Sequence, residues 1–280
     1  MNTKPHRFYQ VDVFSAVPLL GNALAVVVDA DDLTDEEMLR FSRWTNLSET
    51  TFLLKPTSPQ ADYRVRIFTP DGELPFAGHP TLGSCYVWRE TQSFQEKRTI
   101  IQECGVGLVP IRQQDEKLAF AAPTLLRGGD VEPEKLTHII SALGLTDADV
   151  VRSAWVDNGP GWIGLQLTSV ERVLAVKPDY ARLDGYDIGV CALYDDQTGP
   201  VQLEVRAFCC SLVEEDPVTG SLNASLAQWL IGNGTLPEKY TANQGRALSR
   251  DGQIFLSKEG ADVWVAGDVV SVIAGQVSLR

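Results

Sequence analysis

Alternation of hydrophobic and polar positions dominates this chain. Residues 8–14, 63–68, 99–103, 107–112, 150–156, 163–168 and 201–208 read as strands, as do 22–29, 189–194, 240–244, 254–257, 261–266 and 269–273. Helical signals are fewer and sharply placed. Thr34 and Glu37 form a capping box, with Leu33 and Met38 set as a hydrophobic staple and Asn46 as a left-handed stop. Leu39 and Trp44 are expected to share the buried side of that helix. A second helix opens at Pro133, where Leu136, Ile139, Ile140 and Leu143 make one apolar face and Gly144 ends it. A short helix is expected over 177–183, a polar loop over 91–98, and a crossover over 120–123. With strands outnumbering helices in each half, the pattern predicts an α+β chain whose sheets wrap one long helix apiece.

Those two long helices follow the same sequence of events. The strand 63–68 leads through Asp71-Gly72 to Gly78-His79-Pro80 and a helix running to about residue 90. The strand 203–208 leads through Asp216-Pro217 to Gly220-Ser221 and a helix carrying Leu222, Leu226, Trp229 and Leu230 to Gly232-Asn233-Gly234. Val65-Arg66-Ile67-Phe68 aligns with Val205-Arg206-Ala207-Phe208 at an offset of 140 (66 to 206), and Pro75/Pro217 and Gly78/Gly220 at 142 (78 to 220). Strand, proline, glycine and helix in one order point to an internal duplication. Pro80 is expected at the first helical position. The duplication divides the chain into residues 1–122 and 123–280, with the last strand able to pack on the first half. Each half offers a helix N-terminus, with outward N–H groups and partial positive charge suited to an anion. The two would face a common cleft.

Composition narrows the partners. Net charge is −13 over 280 residues, without a block of Lys or Arg, which argues against nucleic acid and anionic membrane. No apolar run is long enough to span a bilayer, and the first residues lead into a strand without a signal-peptide pattern. Five cysteines, with no C-x-x-C spacing, suit a reducing cytoplasm. Neither the spacing of His6, His79 and His138 nor that of the cysteines suggests a metal site. Gly159-Pro160-Gly161-Trp162-Ile163-Gly164 satisfies G-x-G-x-x-G but continues as strand, and Pro160 removes an N–H from the would-be cradle. It reads as a turn, not a dinucleotide site.

Three titratable residues remain as candidates. His79 stands at a helix entrance, where capping and proton transfer are equally good accounts, and its duplicate position holds Ser221, also a capping type. Asp216 precedes the second helix start, where aspartate ordinarily caps. Glu49 stands at a strand entrance. If that entrance is buried, its carboxyl should titrate above the ordinary value of about 4.3, as a general base requires.

Val11-Asp12-Val13-Phe14, Gly21-Asn22, Asn46-Leu47-Ser48-Glu49-Thr50-Thr51-Phe52, Arg66-Ile67-Phe68-Thr69-Pro70, Glu73-Leu74-Pro75-Phe76-Ala77-Gly78-His79-Pro80 and Glu215-Asp216-Pro217-Val218-Thr219-Gly220-Ser221 resemble the PhzF-like phenazine-biosynthesis family, in order and over nearly the whole chain. The resemblance implies a diaminopimelate epimerase-like fold of two pseudo-symmetric domains. It also implies an isomerase that moves a proton between ring carbons without metal or organic cofactor, and a homodimer. By motif, Glu49 is its base, His79 and Asp216 contact substrate, and Gly78, Gly220 and Ser221 cradle the substrate's polar end. Related racemases and epimerases place catalytic cysteines where this chain has Ala77 and Thr219, neither of which can form a thiolate. Leu222 and Asn223 replace smaller residues and are expected to alter the pocket's shape. The expected protein is therefore a cytoplasmic isomerase of a small anionic, carboxylated and cyclic metabolite. An amino-acid racemase and a non-catalytic metabolite-binding protein are the alternatives.

Overall fold

The computed structural model describes residues 5–92, 98–210 and 214–279, and the chain forms two compact units, Met1–Ala121 with Ala266–Arg280, and Ala122–Val265. In the first unit, β1 (His6–Val13) pairs antiparallel with β2 (Asn22–Val28). Helix α1 (Asp35–Thr45) then carries the chain to β3 (Thr50–Leu54), parallel to β2. β4 (Tyr63–Phe68) pairs antiparallel with β3 and with the short β5 (Glu73–Leu74), after which α2 (Gly78–Thr91) leads to β6 (Thr99–Cys104), parallel to β4. β7 (Gly107–Gln114) and β8 (Lys117–Ala121) extend the sheet antiparallel. The final strand, Val269–Val277, pairs with β1 across a register shift between Gln10 and Val11.

The second unit repeats this wiring. It begins with β9 (Arg127–Gly129) and α3 (Pro133–Ala142). β10 (Val150–Asp157) pairs antiparallel with β11 (Ile163–Leu167), and α4 (Val170–Ala175) lies on the crossover to β12 (Ile188–Leu193), parallel to β11. β13 (Leu203–Cys209) pairs antiparallel with β12 and with the short β14 (Glu214–Asp216). Helix α5 (Gly220–Gly232) then delivers β15 (Lys239–Gln244) parallel to β13, followed by β16 (Gly252–Glu259) and β17 (Asp262–Gly267). Shared pairing senses in one order establish the duplication, and the fold is the expected α+β design.

The two equivalent helices, α2 and α5, are the cores of their units. Nine residues of each are buried, so neither has the single apolar stripe of a surface helix. Close approach is made possible by glycine. A Cβ on Gly83 of α2 would lie 2.5 Å from Leu24 Cδ2, and one on Gly189 of β12 would lie 2.4 Å from Leu222 Cδ1 of α5. Leu222 and Asn223 are accordingly fully buried core residues, Asn223 donating to the Gln244 side chain.

Each repeat also carries the same clasp across its short hairpin. Arg66 donates both Nε and Nη2 to the Glu73 carboxylate and lies over the Phe68 ring, 5.0 Å to its centroid. Arg206 donates to Glu215 at 2.9 and 2.8 Å and lies 4.9 Å over Phe208. The second clasp is the more deeply set, because the Arg206 Nη1 group also donates to the carbonyls of Val173, Leu174 and Val176 at 3.0, 3.3 and 2.8 Å. These are C-terminal carbonyls of α4 and its cap, which carry the helix's partial negative charge; that of Val173 also accepts the Val176 N–H at 3.3 Å.

Several local expectations need correction. Trp44 is 80% exposed and stacks on the outside of Phe41, because it leaves the α1 face held by Met38 and Phe41, while Leu39 packs at the core's edge. Pro80 is the third residue of α2, not the first, since the helix already begins at Gly78. Residues 177–183 contain only a 3-10 turn at Tyr180–Arg182. The true helix of that region is α4, capped by Ser169. Phe120 belongs to β8 rather than to a crossover. Part of the expected loop 91–98 lies outside the described residues, and α2 runs on through Thr91.

Candidate active site

Glu49 is fixed from both sides. Asn46 ends α1 in the left-handed conformation (φ 52°, ψ 36°), and four residues later Thr50 enters β3, its hydroxyl 3.0 Å from that of Thr45. The turn leaves the Glu49 side chain only 16% exposed, with Oε2 3.3 Å from Nε2 of His79. His79 is the second residue of α2 and its side chain is 5% exposed. The helix is held against the sheet by polar contacts as well as apolar ones. The Ser84 hydroxyl donates to Thr51 Oγ1 at 2.9 Å, and Gln102 Nε2 donates to Thr81 Oγ1 at 3.1 Å. The spacing of the carboxylate and imidazole is therefore a property of the sheet and helix, not of a mobile loop.

His79 is not a cap. The N-cap of α2 is Ala77, which has no side-chain cap bond, and the imidazole is turned inward instead. Burial pushes its pKa down to about 3, so the ring is neutral near pH 7. The contact with Glu49 is close but not aligned as a hydrogen bond, and with a neutral ring it is not an ion pair. On the other side, Nδ1 lies 3.5 Å from Asn22 Nδ2. An amide donor there favours the tautomer with its proton on Nε2, the atom facing Glu49.

A neutral buried histidine has a consequence for stability. The unfolded chain protonates His79 near 6.5 while the folded chain resists until about 3, so between those values the unfolded state holds more protons. Wild-type stability should fall relative to His79→Gln as pH drops below 6.5, by about 1 kcal/mol per pH unit. Denaturant midpoints at pH 7, 6 and 5 measure this; parallel curves for the two proteins would show that burial leaves the ring's titration as it is in the unfolded chain.

In the second unit, β14 ends at Asp216 and α5 begins at Gly220, four residues on. Asp216 is not the helix cap either. Thr219 is at that position, makes no side-chain cap bond, and instead donates its hydroxyl to Asp216 Oδ2 at 2.6 Å. Ser221, in the first turn, accepts from Trp162 Nε1 at 3.1 Å, and its carbonyl accepts from Asn158 Nδ2 at 2.9 Å. Because an indole can only donate, the Ser221 hydroxyl must accept there and keeps its own hydrogen for another acceptor. Trp162, Asn158 and Gln244, the last of which accepts from the Thr219 N–H at 3.1 Å, surround the start of α5, and sequence reasoning missed all three. The turn holding Asn158 was visible in the glycines, and it is a turn. Asp157 Oδ1 accepts from the amides of Gly159 and Gly161 at 2.7 and 2.8 Å, and β11 follows.

Strand register gives Glu49 a counterpart. Thr50 pairs with Phe68 and Ile188 with Phe208, so the residue before β12, Asp187, stands in the place of Glu49. Its Oδ1 accepts from the Cys210 amide at 2.9 Å. The remaining candidates do not gather. His6 Nε2 is 2.8 Å from Asp32 Oδ1, and His138, exposed on α3, contacts the Arg182 carbonyl. Among the described residues no group of three or more His, Cys, Asp or Glu is placed to hold a metal, and no helix is long and apolar enough to cross a membrane. All five cysteines are free thiols; burial pushes Cys85 and Cys191 up to about 12, and neither N-cap position holds a thiol.

The geometry has close parallels. Residues 11–275 match the family model described as phenazine biosynthesis-like protein, PhzC-PhzF. The chain is 36% identical over 290 residues to antisense-enhancing sequence 1 of Schizosaccharomyces pombe, covering 97% of this chain and 95% of that one. It is 33% identical over 273 residues to trans-2,3-dihydro-3-hydroxyanthranilate isomerase of Pseudomonas aeruginosa, covering 95% of each. A crystal structure of a PhzF-family phenazine biosynthesis protein from Enterococcus faecalis superposes with a TM-score of 0.81 at 25% identity, over 98% of this chain and 99% of that one. A duplicated α+β fold, an acid and an imidazole at the first helix start, and a full-length match together place this chain in the phenazine biosynthesis-like family, as an isomerase.

Proposed function

We propose that the chain moves a proton between two carbons of a small, cyclic carboxylated metabolite, with Glu49 as the base and no organic cofactor or metal. The observation that carries this reading is the Glu49–His79 pair, a carboxylate and a neutral imidazole 3.3 Å apart at a largely buried helix start. The Glu49 carboxylate takes a proton from one ring carbon, leaving a delocalised anion, and the resulting carboxylic acid returns it to another carbon of the same conjugated system. Nothing is oxidised and no group leaves. The Gly78 amide, at the positive end of α2, stabilises the developing charge without reorganising. His79, protonated on Nε2, donates to the substrate or shuttles the proton. Asp216, and Gly220 and Ser221 at the start of α5, contribute substrate contacts in the second unit. A dihydro-hydroxyanthranilate, which the Pseudomonas aeruginosa relative's name specifies, is the substrate class to try first. A cytoplasmic homodimer is part of the same proposal.

The test is to incubate the protein with trans-2,3-dihydro-3-hydroxyanthranilate in deuterated buffer and follow the ring protons by NMR. The expected result is isomerisation with a hydrogen relocated between ring carbons. Stereoinversion of free amino acids with α-deuteration would instead make the protein a racemase, despite Ala77 and Thr219 at the helix starts. Binding without turnover would make it a metabolite-binding protein.

A further inference from the structure

Gln244, at the end of β15, is wholly buried and is bonded at all four of its amide positions. Its Oε1 accepts from the Thr219 backbone N–H at 3.1 Å and from Asn223 Nδ2 at 2.8 Å. A backbone N–H can only donate, so the atom facing it must be the amide oxygen, and the orientation of Gln244 is fixed. Its Nε2 must then donate, and does, to the Asp216 carbonyl at 3.0 Å and to Thr219 Oγ1 at 2.9 Å. The Thr219 oxygen having accepted that hydrogen, its own proton goes to its other neighbour, Asp216 Oδ2, at 2.6 Å. That length falls in the range of a hydroxyl donating to a carboxylate. The orientation of Gln244 is dictated by a main-chain amide, and the Thr219 hydroxyl that accepts from it has the Asp216 carboxylate oxygen beside it to donate to.

We propose that Gln244 and Thr219 are positioning residues for Asp216: they hold its Oδ2 as an obligate acceptor, so that any proton Asp216 carries during turnover is confined to Oδ1. This rests on the reading of Asp216 as a participant in the isomerisation. The relay also explains why Thr219, at an N-cap position and of a good capping type, makes no cap bond. Its hydroxyl is committed backwards, to Asp216, and the first amides of α5 are left uncapped. Asn223 reinforces the arrangement by donating to the Thr219 carbonyl at 2.9 Å.

Two measurements test the relay. Neutron diffraction on crystals of the deuterium-exchanged protein should show the Thr219 hydroxyl deuteron on the line to Asp216 Oδ2 and both Gln244 amide deuterons donated as described. A deuteron on Asp216 Oδ2, or a Thr219 hydroxyl turned toward Gln244, overturns the proposal whether or not the enzyme's substrate is known. In the isomerisation assay, Thr219→Val, nearly the same shape without the hydroxyl, should lower kcat about ten- to hundredfold. Thr219→Ser should restore it to within about threefold of wild type, and the melting temperatures of the two variants should agree closely. A Thr219→Val protein as active as wild type would also sink the relay. A wild-type protein that leaves trans-2,3-dihydro-3-hydroxyanthranilate untouched would remove that substrate from the proposed function and leave the neutron experiment to decide the relay alone.

Discussion

Glu49→Gln is expected to lower kcat for isomerisation by about 10²–10⁴-fold, the usual worth of a positioned general base. The amide keeps the shape and polarity of the side chain but cannot accept a proton from carbon. KM should change little, since the interaction lost is made in the transition state rather than in the bound ground state. The fold should survive, because Asn46 ends α1 and Thr50 pairs with Phe68 in the sheet, neither through the side chain at position 49. Steady-state kinetics with a melting curve for each protein makes the measurement. A Glu49→Gln protein retaining wild-type kcat would transfer the base role to another residue, with His79 the first to examine.

The largest stability effect should come from Arg206→Ala. The Arg206 and Glu215 side chains are only 6% and 9% exposed, so removing the guanidinium strands a buried carboxylate and uncovers three carbonyls at the end of α4. Breaking one partner of a buried pair costs about 3–5 kcal/mol. The equivalent Arg66→Ala should cost nearer about 1 kcal/mol, because its partners Glu73 and Asp35 are 41% and 82% exposed and regain water. Denaturant midpoints of the two variants give the comparison. Equal losses would mean that burial does not distinguish the two clasps.

Most of the fold could be read from the chain because the signals involved are local. The capping box at Thr34, the left-handed Asn46 and the apolar face of α3 each depend on residues a few positions apart, and each formed. The duplication was legible because Val-Arg-x-Phe and the Pro and Gly after it kept their spacing. Its acidic half, Glu73 matched by Glu215, is not legible in the same way, because carboxylates are too common for one to stand out. What could not be read depends on contacts distant in sequence. Trp44 fits a helical stripe, yet only the position of the sheet decides which side of α1 is covered. His79 and Ser221 look like caps until the fold turns the imidazole inward and puts Trp162 beside the hydroxyl, 59 residues away. Gln244 carries no signal of its own, since a glutamine at a strand end becomes a hub only when a helix start arrives against it.

The two repeats differ most where their acidic residues stand. Asp187 occupies the position of Glu49 but spends an oxygen on the Cys210 amide, and the N-cap sites that could hold thiols carry Ala77 and Thr219. If Glu49 is the single base, as proposed, the hydrogen is expected to leave and re-enter through one side of the ring, making the transfer suprafacial. Some of it should return before solvent can wash it out, giving product that keeps part of an isotope label carried in by the substrate. A symmetrical pair of bases would invert a centre instead of carrying its hydrogen to another carbon.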